Sequence, residues 1–236
     1  MYEVVLLDID DTLFDYQKAE EKAMYETFYE LGFFKKNSKK DYEKFVKEYE
    51  IINLKLWNEL EKGKINIENL KINRFKETFN KINLNYYDEK EFSKKYLEKL
   101  GEGTYLFDGA EKFVKYLSEK NYKLAIITNG IKEVQILRIK NSKINKYIET
   151  IIISEEVGAS KPNPLIFEKA LEKLNYNGEK SKVIMIGDSQ TADIKGANNF
   201  EIDSCWINLV KRKKNETMKA TFEVESYEEL YEILRL

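Results

Sequence analysis

The chain contains no histidine, and that absence shapes every chemical reading of it. Histidine is the commonest general base and the commonest metal ligand, so acid–base or metal chemistry here falls to carboxylates. A single cysteine, Cys205, excludes an internal disulfide framework. No apolar run approaches the ~20 residues that a membrane-crossing helix needs. The opening run from Met1 to Asp8 has no basic stretch and meets an aspartate too early for a signal peptide, so a reduced cytoplasmic compartment is expected. Forty basic residues against 42 acidic ones leave a net charge of -2. Neither a nucleic-acid polymer nor a membrane surface is an expected partner for so balanced a chain. Proline is scarce too. Pro162 and Pro164 flank Asn163, where an N-cap followed by a proline in the first turn would start a helix.

What is present suits one large domain, or a core with a smaller insert: 236 residues, 42% hydrophobic and 35% charged. Four apolar, β-branched runs end in polar residues: Tyr2–Leu7 before Asp8, Leu124–Ile127 before Thr128, Ile151–Ile153 before Ser154, and Val183–Ile186 before Gly187. Near-continuous runs of this length match strands buried on both faces of a parallel sheet. Helical patterns lie between them, over Ala110–Lys120, Ile131–Lys140, Pro164–Leu174 and Thr191–Asn199. The alternation predicts an α/β fold with a doubly wound, Rossmann-like parallel sheet. Residues 16–103 differ in character. Met24, Phe28 and Leu31, then Tyr42 through Leu56, then Phe75, Phe79 and Ile82, then Phe92, Tyr96 and Leu100 form four apolar stripes at helical spacing. The expected organisation is a core of residues 1–15 and 104–236 with an inserted all-helical cap domain over 16–103.

Four short segments carry polar groups that suit chemistry. Asp8 and Asp10 stand two apart after the first run, so in extended chain they face the same way. The crevice beyond the carboxyl ends of the strands is where an α/β sheet binds ligands. Two carboxylates about 4 Å apart repel by roughly 4 kcal/mol at an effective dielectric of 20, and call for a cation, a shared proton or a basic partner. Gly187-Asp188 and Asp193 supply further carboxylates at a strand end and the following turn, an oxygen-rich set suited to magnesium. Thr128-Asn129-Gly130 offers a hydroxyl and successive amides as a phosphate cradle. Lys161 stands between a predicted strand and a capped helix, where its ammonium can offset the carboxylates. Each segment alone also suits a plain role: a solvated acidic turn, a helix cap, a structural turn or a surface lysine.

In combination and in this order, the segments resemble the haloacid dehalogenase-like hydrolase superfamily. The likeness runs over nearly the whole chain and includes Ser154-Glu155-Glu156-Val157-Gly158 leading into Lys161. The resemblance implies an aspartyl-phosphate mechanism on a small phosphate ester. Asp8 would be the nucleophile and Asp10 the general acid and base, while Thr128, Asn129 and Lys161 would bind phosphate. Mg2+ would be held by Asp8, the Asp10 carbonyl and Asp188, with Asp193 arranging its waters or Lys161. The superfamily's dehalogenases lack the second aspartate, so Asp10 points to phosphatase chemistry. Asn53 to Trp57, Glu61-Lys62-Gly63-Lys64-Ile65, Arg74-Phe75, Leu13-Phe14-Asp15-Tyr16 and Thr128-Asn129-Gly130 are similar to the bacterial pyrimidine 5'-nucleotidase branch. That likeness nominates UMP, dUMP or dTMP as substrate and Tyr16, Asn53, Trp57 and Phe75 as contacts to it. The three aromatics suit helix packing equally. Phosphoglycolate or broad sugar-phosphate hydrolysis stays open, as does monomer or homodimer. So does a non-enzymatic, receiver-like phospho-acceptor, in which the acceptor aspartate would end the third strand.

Overall fold

The computed structural model describes residues 1–84 and 87–235. Its strands are β1 (Val4–Leu7), β2 (Lys123–Thr128), β3 (Thr150–Ile153), β4 (Val183–Gly187), β5 (Asp203–Ile207) and β6 (Phe222–Val224). They form a single parallel sheet in the order β3-β2-β1-β4-β5-β6. The helices are α1 (Tyr16–Glu30), α2 (Lys39–Glu61), α3 (Ile67–Ile82), α4 (Glu89–Glu102), α5 (Ala110–Glu119), α6 (Lys132–Asn141), α7 (Ser154–Val157), α8 (Pro164–Lys173), α9 (Lys195–Phe200) and α10 (Tyr227–Arg235). The doubly wound parallel sheet expected from the alternating runs is present. Among the described residues no helix is long and apolar enough to cross a membrane.

The chain divides into two compact units, Met1–Gln17 with Thr104–Leu236, and Lys18–Gly103. In the first, alternate residues of each strand feed opposite layers, as the two-residue period of a strand requires. Val5, Leu7, Leu124, Ile126, Ile184 and Ile186 pack with Phe113, Leu117, Tyr227 and Leu230 from α5 and α10. Val4, Leu6, Ala125, Ile127, Val183 and Met185 pack on the other face with Ile166, Phe167 and Ala197 from α8 and α9. β1 lies between β2 and β4, with Leu7 level with both Ile126 and Ile186. That register lines up the ends of three strands and hence Asp8, Thr128 and Asp188. β5, β6 and α10 lie outside the apolar runs and helical patterns evident in the sequence.

Beyond β1, the backbone makes a tight turn in which the Asp11 and Phe14 main chains bond at 2.8 Å. Asp11 occupies the left-handed region at φ 56°, which aspartate tolerates better than most residues. The segment then runs antiparallel to its own return. The Asp15 N–H donates to the Tyr105 carbonyl at 2.8 Å and the Phe107 N–H to the Leu13 carbonyl at 3.0 Å, around a Phe14–Leu106 bridge.

The described residues of the second unit form helices and the short connections between them. Gly32 stops α1 at φ 70°, and Ser38 with Asp41 makes a reciprocal capping box at the start of α2. Its core is aromatic. Phe28, Phe45, Tyr49, Phe75, Phe79, Phe92 and Tyr96 are buried. Edge-to-face pairs such as Phe28–Phe45 at 4.7 Å and 79° are the geometry that aromatic rings prefer. Phe75 belongs to this interior. It is fully buried, stacked on Tyr49 at 5.4 Å and set against Phe92 and Tyr96. The expectation that it touches substrate is therefore corrected: neither face of its ring is open to a ligand.

Candidate functional site

Asp8 is buried at the end of β1, its backbone N–H tied to the Ile186 carbonyl at 2.9 Å. Lys161 reaches it from the turn between α7 and α8. That buried ammonium donates to Asp8 Oδ1 at 2.5 Å and to the Ile127 carbonyl at 2.7 Å, and forms an ion pair with Asp193 Oδ1 at 2.6 Å. Burial opposes the charge on Lys161, but Asp193 and Asp8 outweigh it and hold its pKa above the usual lysine value. Burial pushes the Asp8 carboxyl up to about 7, with the Lys161 charge pulling the other way and the Asp193 and Asp10 charges adding to the rise.

The placement of Lys161 is itself locked. Asn129 accepts the Lys161 backbone N–H on Oδ1 at 2.8 Å and donates Nδ2 to the Lys161 carbonyl at 2.9 Å. Its side-chain amide is thereby committed to the backbone. Thr128, buried at the end of β2, accepts from the Gly130 N–H at 3.0 Å and from Gln135 Nε2 at 2.9 Å. With both lone pairs of its oxygen engaged, its own proton is the one free to be donated.

Asp188 and Asp193 come from the end of β4 and the π-helical turn Gln190–Ile194 that follows. Trp206 on β5 fixes the Asp188 carbonyl through its indole N–H at 2.8 Å. Asp193 Oδ2 accepts the Ser189 N–H at 2.9 Å. Ligand oxygens of Asp8, Asp188 and Asp193 all lie within 4.8 Å of one another. The Asp10 carboxylate is not in that cluster. It turns instead to Arg138 and to Gln135 Nε2, the latter at 2.5 Å. Of the expected metal ligands, Asp10 could thus serve only through its carbonyl, as the resemblance implied.

Several polar residues of the site went unread in the sequence. Arg138 and Gln135 lie three apart on the inward face of α6, beside Val134 and Ile139, while Ile136 and Leu137 are exposed, so the apolar pattern of the helix does not mark that face. Arg212 bridges Asp11 and Asp188. Asn208 holds the Arg212 backbone through bonds of 2.7 Å to its N–H and 2.9 Å from its own amide to the carbonyl. Nothing in the sequence marks Arg212, which lies in a loop about two hundred residues from Asp11.

The donor set fits a hard divalent cation. It offers only oxygens, and the carboxylates of Asp8, Asp10, Asp11, Asp188 and Asp193 outnumber Lys161, Arg138 and Arg212 by two charges. The family model of haloacid dehalogenase-like hydrolases matches residues 2–201. The chain belongs to that family. Among similar proteins of this hydrolase is the pyrimidine 5'-nucleotidase PynA of Streptococcus pneumoniae, 34% identical over 99% of this chain and 95% of the relative. The pyrimidine 5'-nucleotidase YjjG of Escherichia coli is 29% identical over 98% and 96%. The crystal structure of the HAD-hydrolase YfnB of Bacillus subtilis, bound to magnesium, superposes with a TM-score of 0.85 at 30% identity, covering 100% of this chain and 99% of that one.

The remaining nominated residues fall in different places. Tyr16 opens α1 in the first unit, its ring under the Arg138 guanidinium at 5.7 Å and its N–H on Asp11 Oδ1 at 3.2 Å. Asn53 and Trp57 stand one turn apart on α2, both half-buried, so they share a face of that helix. Phe75 alone is interior.

Proposed function

We propose that this hydrolase is a magnesium-dependent phosphatase acting through an aspartyl-phosphate on Asp8, with pyrimidine nucleoside 5'-monophosphates as its substrates. The observation that carries the reading is the set around Asp8: Lys161 holding Oδ1, Asp188 close by, and Thr128 presenting a hydroxyl proton from the next strand. With Oδ1 engaged, Oδ2 is the atom that attacks phosphorus. Thr128 donates to a phosphoryl oxygen, and the Asn129 contribution falls to its backbone N–H because its side chain is committed. Lys161 lowers the repulsion between the Asp8 carboxylate and the incoming phosphate dianion. Asp10 gives its proton to the leaving alkoxide as the phosphorus–oxygen bond breaks. It then takes a proton from the water that hydrolyses the phosphoenzyme and returns Asp8 to a carboxylate. Asp8, Asp188 and the Asp10 carbonyl would hold the cation, which when bound neutralises charge on the carboxylates and the phosphoryl oxygens. Asp193 acts by positioning Lys161.

Two pyrimidine 5'-nucleotidases among the nearly full-length relatives support the substrate class. Tyr16 and Trp57 are the aromatic candidates to stack on a base, worth roughly 1–3 kcal/mol for such a contact, and Asn53 is the polar one. Asn53 is half-buried and shares a face of α2 with Trp57. The receiver-like alternative loses its footing, since β3 ends in Ile153 and is followed by Ser154, without an acceptor aspartate.

One assay series tests the reading. Steady-state hydrolysis of UMP, dUMP, dTMP, ribose 5-phosphate and phosphoglycolate is measured with magnesium and with chelator. The expected result is higher kcat/KM for the nucleotides, loss in chelator, and a fall on the order of 10⁴-fold or more for Asp8→Asn. Equal or better hydrolysis of phosphoglycolate would move the protein to small-acid phosphatases. Full activity in chelator would overturn the metal assignment.

A further inference from the structure

Arg138 and Gln135 are polar, fully buried and aimed at the site from α6, yet no step above uses them. Arg138 Nη1 donates to Asp10 Oδ1 and, at 3.1 Å, to Gln135 Oε1. Gln135 Nε2 donates at once to Asp10 Oδ2 at 2.5 Å and to Thr128 Oγ1 at 2.9 Å. The orientation of the Gln135 amide follows from its neighbours. Arginine has no acceptor, so the glutamine oxygen must face it and the NH2 group must face the carboxylate and the hydroxyl.

Two further observations show a built device. The Arg138 guanidinium is held over the Phe14 ring at 4.7 Å, with the Tyr16 ring on it as well. Such contacts gain strength where water is excluded. Gly130 has no side chain where one would collide: a Cβ there would lie 2.2 Å from Gln135 Nε2 and 2.7 Å from its Cδ. Packing alone does not call for a buried guanidinium, since replacing a buried ion pair by apolar groups is often neutral or stabilising. The pair spans the two groups that act on opposite ends of the breaking bond. Each carboxylate oxygen has two lone-pair sites, so one donor on each still leaves a site for the transferred proton.

We propose that Gln135 and Arg138 are positioning residues for phosphoryl transfer, fixing the Asp10 carboxylate and the Thr128 hydroxyl in one mutual geometry. The proposal rests on the reading of Asp10 as general acid and base. Arg138 sets the amide, the amide sets both reactive groups, and Gly130 leaves the room for it. In the first half-reaction the bond from phosphorus to the leaving oxygen breaks while the Asp10 proton moves to that oxygen. The phosphoryl group passes to Asp8 with its oxygens held by Thr128. A rotated Asp10 would misplace the proton, and a rotated Thr128 would release the phosphoryl oxygen.

Arg138→Met and Gln135→Met keep the volume and delete the hydrogen bonds. They are compared with wild type and Asp10→Asn in single-turnover cleavage of UMP and of p-nitrophenyl phosphate. The nucleotide's ribose alkoxide needs a proton to leave, whereas nitrophenolate does not. Misplacement of a catalytic group by about 1 Å costs on the order of 10²-fold, so both methionine variants should lose about that much on UMP. For Arg138→Met, which removes a contact to Asp10 and not to Thr128, loss on p-nitrophenyl phosphate should be at least tenfold smaller, with KM for UMP within about threefold of wild type, since orientation rather than binding is what is lost. Equal losses on both substrates in Arg138→Met, or wild-type rates in a folded Gln135→Met, would overturn the proposal and leave the pair as a helix anchor. If Asp10→Asn shows the leaving-group dependence and Arg138→Met does not, the positioning idea falls alone. If Asp10→Asn lacks it, the acid–base reading falls and the positioning proposal with it.

Discussion

At the scale of single residues, the pair Asp8 and Lys161 decides how the site responds to pH. A carboxyl whose folded-state pKa lies above its unfolded value contributes stability at low pH and loses it as pH rises through the folded pKa. Burial places Asp8 in that class, with a value of about 7 against an ordinary 3.8. The protein without a cation should therefore lose melting temperature from this group as pH rises from about 4 to about 7. A divalent cation on Asp8 and Asp188 favours the carboxylate and reverses the sign. Magnesium should thus raise the melting temperature more at pH 8 than at pH 5, read by scanning calorimetry with and without chelator. A magnesium shift that is the same at both pH values would take Asp8 out of the ligand set. No histidine titrates in the same interval to confuse the reading.

At the scale of elements, the end of β4 shows how closely strand and turn are fitted. A side chain at Gly187 would place its Cβ 2.3 Å from Asp193 Oδ2 and 2.4 Å from its Cγ. Asp193 is buried and paired with Lys161, so relieving that collision means shifting either Asp193 or the strand end. Gly187→Ala should cost about 1–3 kcal/mol by overpacking, at about 2–4 °C of melting temperature per kcal/mol for a chain of this size. Its turnover should fall at least tenfold as Lys161 loses an anchor, in the manner of other slightly misplaced catalytic groups. Wild-type kcat in a destabilised Gly187→Ala would show that Asp193 is dispensable. The same element explains what the sequence could disclose. Asp8, Thr128 and Asp188 were legible because each follows an apolar run, and strand ends in a parallel sheet point to one crevice. β5 was hidden by Asp203 and Ser204 among its apolar residues, and β6 by being three residues long with Glu223 at its centre. Gln135 and Arg138 look like ordinary polar helix positions until α6 is docked and both prove buried. Phe75 could not be told from a binding aromatic because its stripe on α3 reads the same whether it faces a ligand or the rings of Tyr49, Phe92 and Tyr96.

At the scale of the whole molecule, the chain holds two units with cores of their own, one built on a sheet and one on aromatic helices. The residues that flank the insert pair with each other inside the first unit, Asp15 with Tyr105 and Leu13 with Phe107. Replacing residues 18–103 by a short glycine–serine linker should accordingly leave a soluble core. Circular dichroism should show its α/β content and a cooperative melt. It should still cleave p-nitrophenyl phosphate but no longer favour UMP over ribose 5-phosphate. An aggregated or molten product would show that the sheet unit depends on the helical one to fold, and retained nucleotide preference would return substrate selection to the core.

The paired neck also sets what an insertion does to folding entropy. Closing a loop of disordered chain grows more unfavourable as the logarithm of its length. Here the helical segment brings its own ends together, since α1 and α4 approach so closely that a Cβ on Gly103 would lie 2.7 Å from the Ala19 Cβ. The sheet therefore meets a ready-closed hairpin whatever the number of residues beyond it. Lengthening, shortening or exchanging the helices leaves the closure entropy of the sheet unit nearly untouched, so sequence drift in the inserted unit is uncoupled from the stability of the sheet unit.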